Sequence, residues 1–151
     1  MRCFLDTNIL IDVLLNRRLF GRQATLLMAI GALGEFEMLF CASQLTDIFY
    51  VLTTGPTKIS SDAAQKRLRE LVSRCSVASL YADDATKALN AQWSDFEDAC
   101  VYQCAVSAKA DVIITRNQKD FEKSAIPVMD CDEFFAYLER EKGLVYDFIR
   151  L

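Results

Sequence analysis

The stretch FLDTNILID, residues 4–12, places a carboxylate, Asp6, inside an apolar run near the start of the chain. Residues 2–5 are predicted as a short strand, and residues 7–16 have the apolar spacing of a helix, so Asp6 falls where one ends and the other begins. A charge in such surroundings costs free energy unless another group compensates it. Asp6 is therefore a candidate functional residue, although an ordinary helix N-cap would also place an Asp here.

Outward from this stretch, short apolar runs alternate with helical segments. The further predicted strands are 37–42, 76–80, 111–115 and 127–129. The further predicted helices are 20–33, 44–54 with Ser43 as its cap, 60–74, 83–91, 94–108 and 132–140. This alternation predicts a three-layer α/β/α sandwich around a parallel sheet of about five strands. The carboxyl ends of such strands meet at one edge, where these sheets keep their sites.

The length and the composition of the chain limit the classes of protein to which it could belong. A chain of 151 residues fits a single domain, 1–151, and 52% hydrophobic residues allow a sizeable core. No apolar run is long enough for a membrane span, and the N-terminus does not read as a secretory signal. Six cysteines without a CxxC pair are expected to be reduced, buried thiols. We therefore expect a cytoplasmic protein with no membrane partner.

The absence of histidine narrows the possible chemistry. It excludes Ser-His-Asp and Cys-His nucleophilic schemes and nearly every zinc site. Carboxylates, hydroxyls, amides and basic side chains remain, and ligands made only of oxygen favour hard cations such as Mg²⁺ or Mn²⁺.

Several acidic and amide side chains are expected to converge on Asp6. Asn117 follows the predicted strand 111–115, so it belongs at the same sheet edge. Asp98 lies three residues before Val101 on the inward stripe of its helix, and Asp95 lies one turn earlier. Converging carboxylates repel one another unless a cation neutralises them, so a divalent metal explains why Asp6 is tolerated. Taken singly, Asp95 and Asp98 also suit a helix first turn.

Four segments, in this order and spacing, resemble the PIN domain family, named for the PilT N-terminus. They are FLDTNILIDVL at 4–14, LTDIFYVL at 45–52, WSDFEDACVYQCA at 93–105 and ADVIITRNQKDF at 110–121. The branch with D-F-E-D-A and T-R-N-x-x-D-F motifs, which includes VapC-type toxin ribonucleases, is the most similar. The resemblance extends from Phe4 to about residue 135. The first motif alone is weak evidence, whereas the four together are specific.

The resemblance implies a parallel sheet in the order 3-2-1-4-5 and a nuclease that depends on Mg²⁺ or Mn²⁺. The family's four catalytic positions fall on Asp6, Asp47, Asp98 and Asn117, and the metal ligands among them are Asp6, Asp98 and Asn117. Asn117 departs from the Asp of many members, and Asp120 nearby is a possible substitute. The supporting positions are Thr7, Asn8, Asp95, Glu97, Thr115, Arg116 and Asp120.

Three of these assignments have other interpretations. Asp47 lies off the apolar stripe of its helix, so a solvated face explains it equally well. Arg116 could contact phosphate or a partner's carboxylate, or form a surface salt bridge. Asn117 also suits a degenerate domain that binds a partner without cleavage. A phosphoacceptor receiver domain is the least favoured alternative, because it gives no role to the motif at 94–99.

The charge and the surface residues bear on partners. Net charge is −4 and the isoelectric point is near 4.9, which disfavours non-specific nucleic-acid binding. Basic residues cluster at Arg17, Arg18 and Arg22 and along 66–74, where local charge could still contact RNA. VapC-type relatives imply an RNA substrate, an inhibitory antitoxin protein and a homodimer. The apolar tail 144–151 and the high apolar content also favour a homodimer.

Overall fold

The structure is a computed structural model that describes residues 1–15 and 20–143. Three predictions concern residues outside these ranges. They are the last residue of the first helix, Asn16, the basic residues Arg17 and Arg18, and the apolar tail 144–151.

Five short strands form one parallel sheet. They are β1 (Arg2–Leu5), β2 (Glu37–Cys41), β3 (Ser76–Ala78), β4 (Val112–Ile114) and β5 (Val128–Met129). Their order is β3-β2-β1-β4-β5, which confirms the predicted order, and every neighbouring pair is parallel. In the centre, Phe4 of β1 is in register with Leu39 on one side and Ile113 on the other. The carboxyl ends of β1 and β4 therefore lie side by side.

Helices connect the strands. They are α1 (Thr7–Leu15), α2 (Gly21–Ala32), α3 (Gln44–Thr54), α4 (Ser61–Val72), α5 (Ala82–Asn90), α6 (Phe96–Ser107) and α7 (Cys131–Lys142), and a 3₁₀ turn spans Gln118–Phe121. Each parallel pair needs a crossover connection, and these helices supply it. The predicted alternation of strands and helices is confirmed, with most boundaries moved by one or two residues.

The helices divide between the two faces of the sheet. Successive side chains of a strand point to opposite faces, so Cys3 and Leu5 of β1 pack with α1, α2, α3, α4 and α7. Phe4 points the other way and packs with α6 and the 3₁₀ turn. Helix α5 packs on α6 through Ala88, Ala99 and Cys100. The result is the predicted α/β/α sandwich, with the larger core on the α1 side.

Two local details go beyond what the sequence pattern indicates. Gly31 lies inside α2, where a Cβ would come within 2.5 Å of Met38 Sδ. Its small size, rather than its flexibility, is what the packing uses. Ser43 precedes α3 but its side chain makes no capping hydrogen bond; its hydroxyl lies 3.1 Å from Cys41 Sγ. The neighbouring side chain of Gln44 accepts from the Cys41 N–H instead.

All six cysteines are buried free thiols. Within residues 1–15 and 20–143, no helix has both the length and the apolar content that a membrane crossing requires.

Candidate active site

Asp6 follows β1 and is only 4% exposed. Its backbone N–H donates to the Ile114 carbonyl, so the end of β4 holds it in place. Its Oδ1 accepts from the Thr7 N–H at 2.6 Å, and its Oδ2 accepts from Asn8 Nδ2 at 2.5 Å and Thr115 Oγ1 at 2.6 Å. An N-cap carboxylate accepts from the second or third N–H of its helix. The Asp6 carboxylate accepts from neither of these N–H groups, so helix capping does not account for its position.

Thr115 and Asn8 connect the ends of β1 and β4. The buried Thr115 hydroxyl donates to Asp6 and accepts from Asn8 Nδ2 and from the Asn117 N–H, both at 3.0 Å. Asn8 Oδ1 accepts from the Arg116 N–H at 3.2 Å. The side-chain polar groups of Thr115 and Asn8 thereby have partners, and the Asp6 carboxylate is held in one orientation.

The first turn of α6 brings further carboxylates to this edge. Asp95 is the N-cap of α6, and its Oδ1 accepts from the N–H groups of Glu97 at 2.7 Å and Asp98 at 3.4 Å. Glu97 Oε1 accepts from Thr7 Oγ1 at 2.8 Å. This bond joins the start of α6 to the start of α1, so the two acidic segments face each other.

The pKa values of these groups reflect burial and mutual repulsion. Burial, together with the smaller effects of the charges of Asp6, Asp95, Asp120 and Glu97, raises the pKa of Asp98 from 3.8 to about 7. Burial also raises the pKa of Asp6 to about 6, helped by Glu97 and Asp120, while the hydrogen bonds from Thr115 and Thr7 oppose the rise. Without a cation, the site therefore holds protons more tightly than isolated carboxyls do.

Glu97 and Asp47 belong to the same group. Burial raises the pKa of both. Asp47 is half-buried on α3, and its charge is one of those that raise the pKa of Glu97. Six carboxylates that influence one another are called here the acidic cluster: Asp6, Asp47, Asp95, Glu97, Asp98 and Asp120.

The acidic cluster fits a hard divalent cation by the chemistry of its donors. Its members are all carboxylates, and several have raised pKa values that a cation would lower. Among the residues that the structure describes, no three Asp, Glu, Cys or His side chains are already grouped tightly enough to hold an ion directly. Mg²⁺ keeps several waters and commonly binds through one or two carboxylates, so it needs no such group.

Asn117 and Asp120 differ in what they offer the site. Asn117 follows β4 at the predicted edge; its backbone N–H bonds to Thr115 and its side chain is exposed. Asp120, in the 3₁₀ turn, contributes a charge that both Asp6 and Asp98 sense. Asp120 thus adds a negative charge close to Asp6 and Asp98, whereas the Asn117 amide is neutral.

Arg116 lies beside the site but bonds inward. Its Nε lies 2.6 Å from Oδ2 of Asp12, which is fully buried in α1, and its guanidinium lies 4.4 Å from the centre of the Phe20 ring. Arg116 therefore forms a salt bridge within the chain, but with a fully buried carboxylate and not the surface pair that one interpretation expected. Asp12 was not among the predicted residues, although its place three residues after Ile9 on α1 predicts an inward side chain.

Gln44 was also missed. It is fully buried and bonds to Thr7, which in turn bonds to Asp6 and Glu97. It lies four residues before the buried Ile48, so helical spacing alone predicts that it points inward.

Comparison with known proteins agrees with this fold. A family model described as PIN domain matches residues 2–119. Ribonuclease VapC1 of Aquifex aeolicus is 24% identical over 138 residues, which are 88% of this chain and 92% of that protein.

Two solved structures have the same architecture. DNA-bound VapBC from Salmonella typhimurium is similar with a TM-score of 0.66 and 17% identity, over 87% of this chain and 98% of that one. The sarcin-ricin loop cleaving toxin VapC20 of Mycobacterium tuberculosis has a TM-score of 0.60 and 14% identity, over 74% of this chain and 86% of that one.

Proposed function

The chain belongs to the PIN domain family, and from this membership we propose that it is a divalent-metal-dependent endoribonuclease. The observation that carries the proposal is the acidic cluster at the carboxyl edge of the sheet, where burial and repulsion raise the pKa values of Asp6 and Asp98. Strongly perturbed carboxylates grouped at such an edge are typical of active sites.

The residues that would hold Mg²⁺ or Mn²⁺ are Asp6, Asp98 and Asn117, with Asp47 and Asp120 completing the site. A bound divalent cation supplies Lewis acidity that activates water and offsets charge on a phosphodiester. The chain itself orients the donors. Thr115, Asn8 and the Thr7 N–H fix both oxygens of Asp6, and Asp95 caps the helix that presents Glu97 and Asp98.

We propose that RNA is the substrate and that the protein is the toxin of a toxin–antitoxin pair. Support comes from the relative named as a ribonuclease and from the neighbouring structures, one a VapBC complex and one a toxin that cleaves the sarcin-ricin loop. A net charge of −4 suits a selective, structured RNA better than non-specific cleavage. An antitoxin protein, a homodimer, a cytoplasmic location and a single domain, 1–151, are parts of the same proposal.

Cleavage of structured RNAs, with Mg²⁺, with Mn²⁺ and with a chelator, tests the activity. We expect cleavage with either metal and none with the chelator. Cleavage that persists unchanged in the chelator would refute metal dependence.

A second candidate function, binding a partner without cleavage, is favoured by the amide at Asn117, which removes one negative charge from the site. Direct titration with Mn²⁺ distinguishes the nuclease from the non-cleaving domain, because a site that no longer supports catalysis should bind Mn²⁺ poorly. Saturable binding that Asp98→Asn abolishes supports the nuclease, and no binding supports the second candidate.

A further inference from the structure

We infer that Gln44 is a positioning residue, which directs the Thr7 hydroxyl toward Glu97 and so orients part of the acidic cluster. The inference rests on the proposed function, because it assigns Gln44 a role in the metal site. Gln44 lies outside the acidic cluster and carries no charge. Its effect would act only through Thr7.

The geometry is a chain of hydrogen bonds that begins in the sheet. Gln44 is fully buried at the start of α3. Its Oε1 accepts from the Cys41 N–H at 2.6 Å, and its Nε2 donates to the Leu5 carbonyl at 3.1 Å and to Thr7 Oγ1 at 3.0 Å. One side chain thereby joins the carboxyl ends of β2 and β1 to the first residue of α1.

The direction of each bond follows from its partners. The Cys41 N–H can only donate and the Leu5 carbonyl can only accept, so the oxygen and the nitrogen of the Gln44 amide are assigned without ambiguity. Both hydrogens of Nε2 are then used, one on Leu5 and one on Thr7. Because the Thr7 oxygen already accepts a hydrogen from Gln44, its own hydrogen is left for Glu97 Oε1, which lies 2.8 Å away.

Thr7 therefore holds two members of the acidic cluster. Its backbone N–H donates to Asp6 Oδ1 at 2.6 Å and its hydroxyl donates to Glu97. Joining the strand ends requires only the bonds to Cys41 and Leu5. The third bond of Gln44 also satisfies a buried N–H, and it is the bond that reaches the acidic cluster.

The test compares two substitutions that differ in chemistry at nearly the same size. Gln44→Met removes the donor and leaves the Thr7 hydroxyl free to rotate. Gln44→Glu replaces the donor with an acceptor, which competes with Glu97 for the Thr7 hydrogen. Gln65→Met, on the exposed face of α4, is the matched control. Thermal melting confirms that each variant is folded before it is used.

The first readout is Mn²⁺ affinity measured by electron paramagnetic resonance. Loss of a residue bonded to a metal ligand weakens metal binding by about 10- to 100-fold; Glu97 is not one of the proposed ligands, so a weakening of roughly three- to ten-fold is the range for Gln44. We expect a loss in this range for Gln44→Met, a larger loss for Gln44→Glu and none for Gln65→Met. In a Thr7→Val background, Gln44→Met should cause no further loss of Mn²⁺ affinity, because the two hydrogen bonds of the Thr7 hydroxyl are already absent. Equal Mn²⁺ affinity of wild type and folded Gln44→Met, or fully additive losses, would overturn the inference.

The second readout needs no metal. In crystal structures of the two variants, the Thr7 hydroxyl should turn away from Glu97, toward residue 44 in Gln44→Glu. If the Thr7–Glu97 bond persists in both, Gln44 does not position it. If the wild type binds no Mn²⁺, the proposed function fails, while this comparison still decides the role of Gln44.

Discussion

Thr115 Oγ1 donates a 2.6 Å hydrogen bond to Asp6 Oδ2, joining two residues that are 109 positions apart in the chain. Both are buried, and both follow central strands whose carboxyl ends lie side by side. The adjacency of β1 and β4 therefore makes this contact, and with it the orientation of Asp6.

Thr115→Val should loosen that contact. It keeps the shape of the side chain but removes the donor to Asp6 and the acceptor used by Asn8 and by the Asn117 N–H. We expect a loss of about 1–3 kcal/mol in the free energy of unfolding, the cost of leaving buried polar groups unsatisfied. Urea unfolding measures it. Thr86→Val, whose exposed hydroxyl bonds only to its own helix, is the control and should change little. Equal effects of the two changes would contradict the prediction.

Asp98→Asn should separate function from stability. It removes one charge from the acidic cluster but keeps the volume of the side chain. Loss of a residue that only supports a metal ligand lowers activity by about 10- to 100-fold, and loss of a ligand's charge should lower the metal-dependent cleavage rate by at least as much. The melting temperature of the metal-free variant should be equal to or higher than that of the wild type, because the repulsion between residue 98 and Asp6 is relieved. Asp62→Asn, in the first turn of α4, is the matched control. Unchanged cleavage by Asp98→Asn would show that the site is assigned wrongly.

Metal-free protein should lose stability as the pH rises from about 4 to about 7. The folded-state pKa values of Asp6, about 6, and Asp98, about 7, lie above the ordinary value of 3.8. In this window the folded state keeps protons that the unfolded chain has released, so the free energy of unfolding falls as the pH rises. Melting curves in a chelator measure it, and added Mn²⁺ should reduce the fall. The difference between wild type and Asp98→Asn isolates one carboxyl; identical pH profiles would contradict its raised pKa.

Arg116→Ala should destabilise the domain. It removes the ion pair with the fully buried Asp12 and the contact over the Phe20 ring. Removing one partner of a buried ion pair costs about 3–5 kcal/mol, and because the Arg116 side chain is 25% exposed we expect a loss near the lower end of that range. Arg140→Ala, which removes an exposed pair with the adjacent Glu141, should cost less than about 1 kcal/mol. Urea unfolding of both variants makes the comparison, and a similar small loss for each would mean that the Asp12 pair contributes little.

The protein should form a homodimer. Large apolar side chains remain exposed on the described surface, including Leu33 at 70%, Tyr50 at 68% and Leu89 at 69%. Association would cover such residues. Light scattering should give about twice the monomer mass of 17.1 kDa at concentrations on the order of tens of micromolar. A mass near 17.1 kDa would argue against the dimer.

The sequence correctly predicts the features that depend on residues close together in the chain. The span of β1 follows from nearby residues, and so does the position of Asp95 at the start of α6, although the sequence placed it inside the first turn and the structure makes it the N-cap. Asp6 and Asp98 could be found because one follows a strand and the other extends an apolar stripe. The order of the strands came from the resemblance to a family, since periodicity does not state which strands are neighbours.

Contacts between distant segments could not be predicted in the same way. The burial of Asp47 depends on its surroundings in the folded chain, which its place off the helical stripe does not reveal. Gln44 bonds to Leu5 and Thr7, which are 39 and 37 positions away in the chain, and Arg116 pairs with Asp12. A helical stripe predicts that such side chains point inward, but their partners depend on which strands lie together.

The central place of β1 in the sheet also has a consequence for the chain during its synthesis. Asp6 is made 109 residues before Thr115, and Asp98 is made between them. At translation rates of about 5–20 residues per second, this interval lasts roughly 5–20 seconds. A nascent chain therefore lacks the strand that orients Asp6 until β4 has been made, so the acidic cluster cannot take its final arrangement before Thr115 is available.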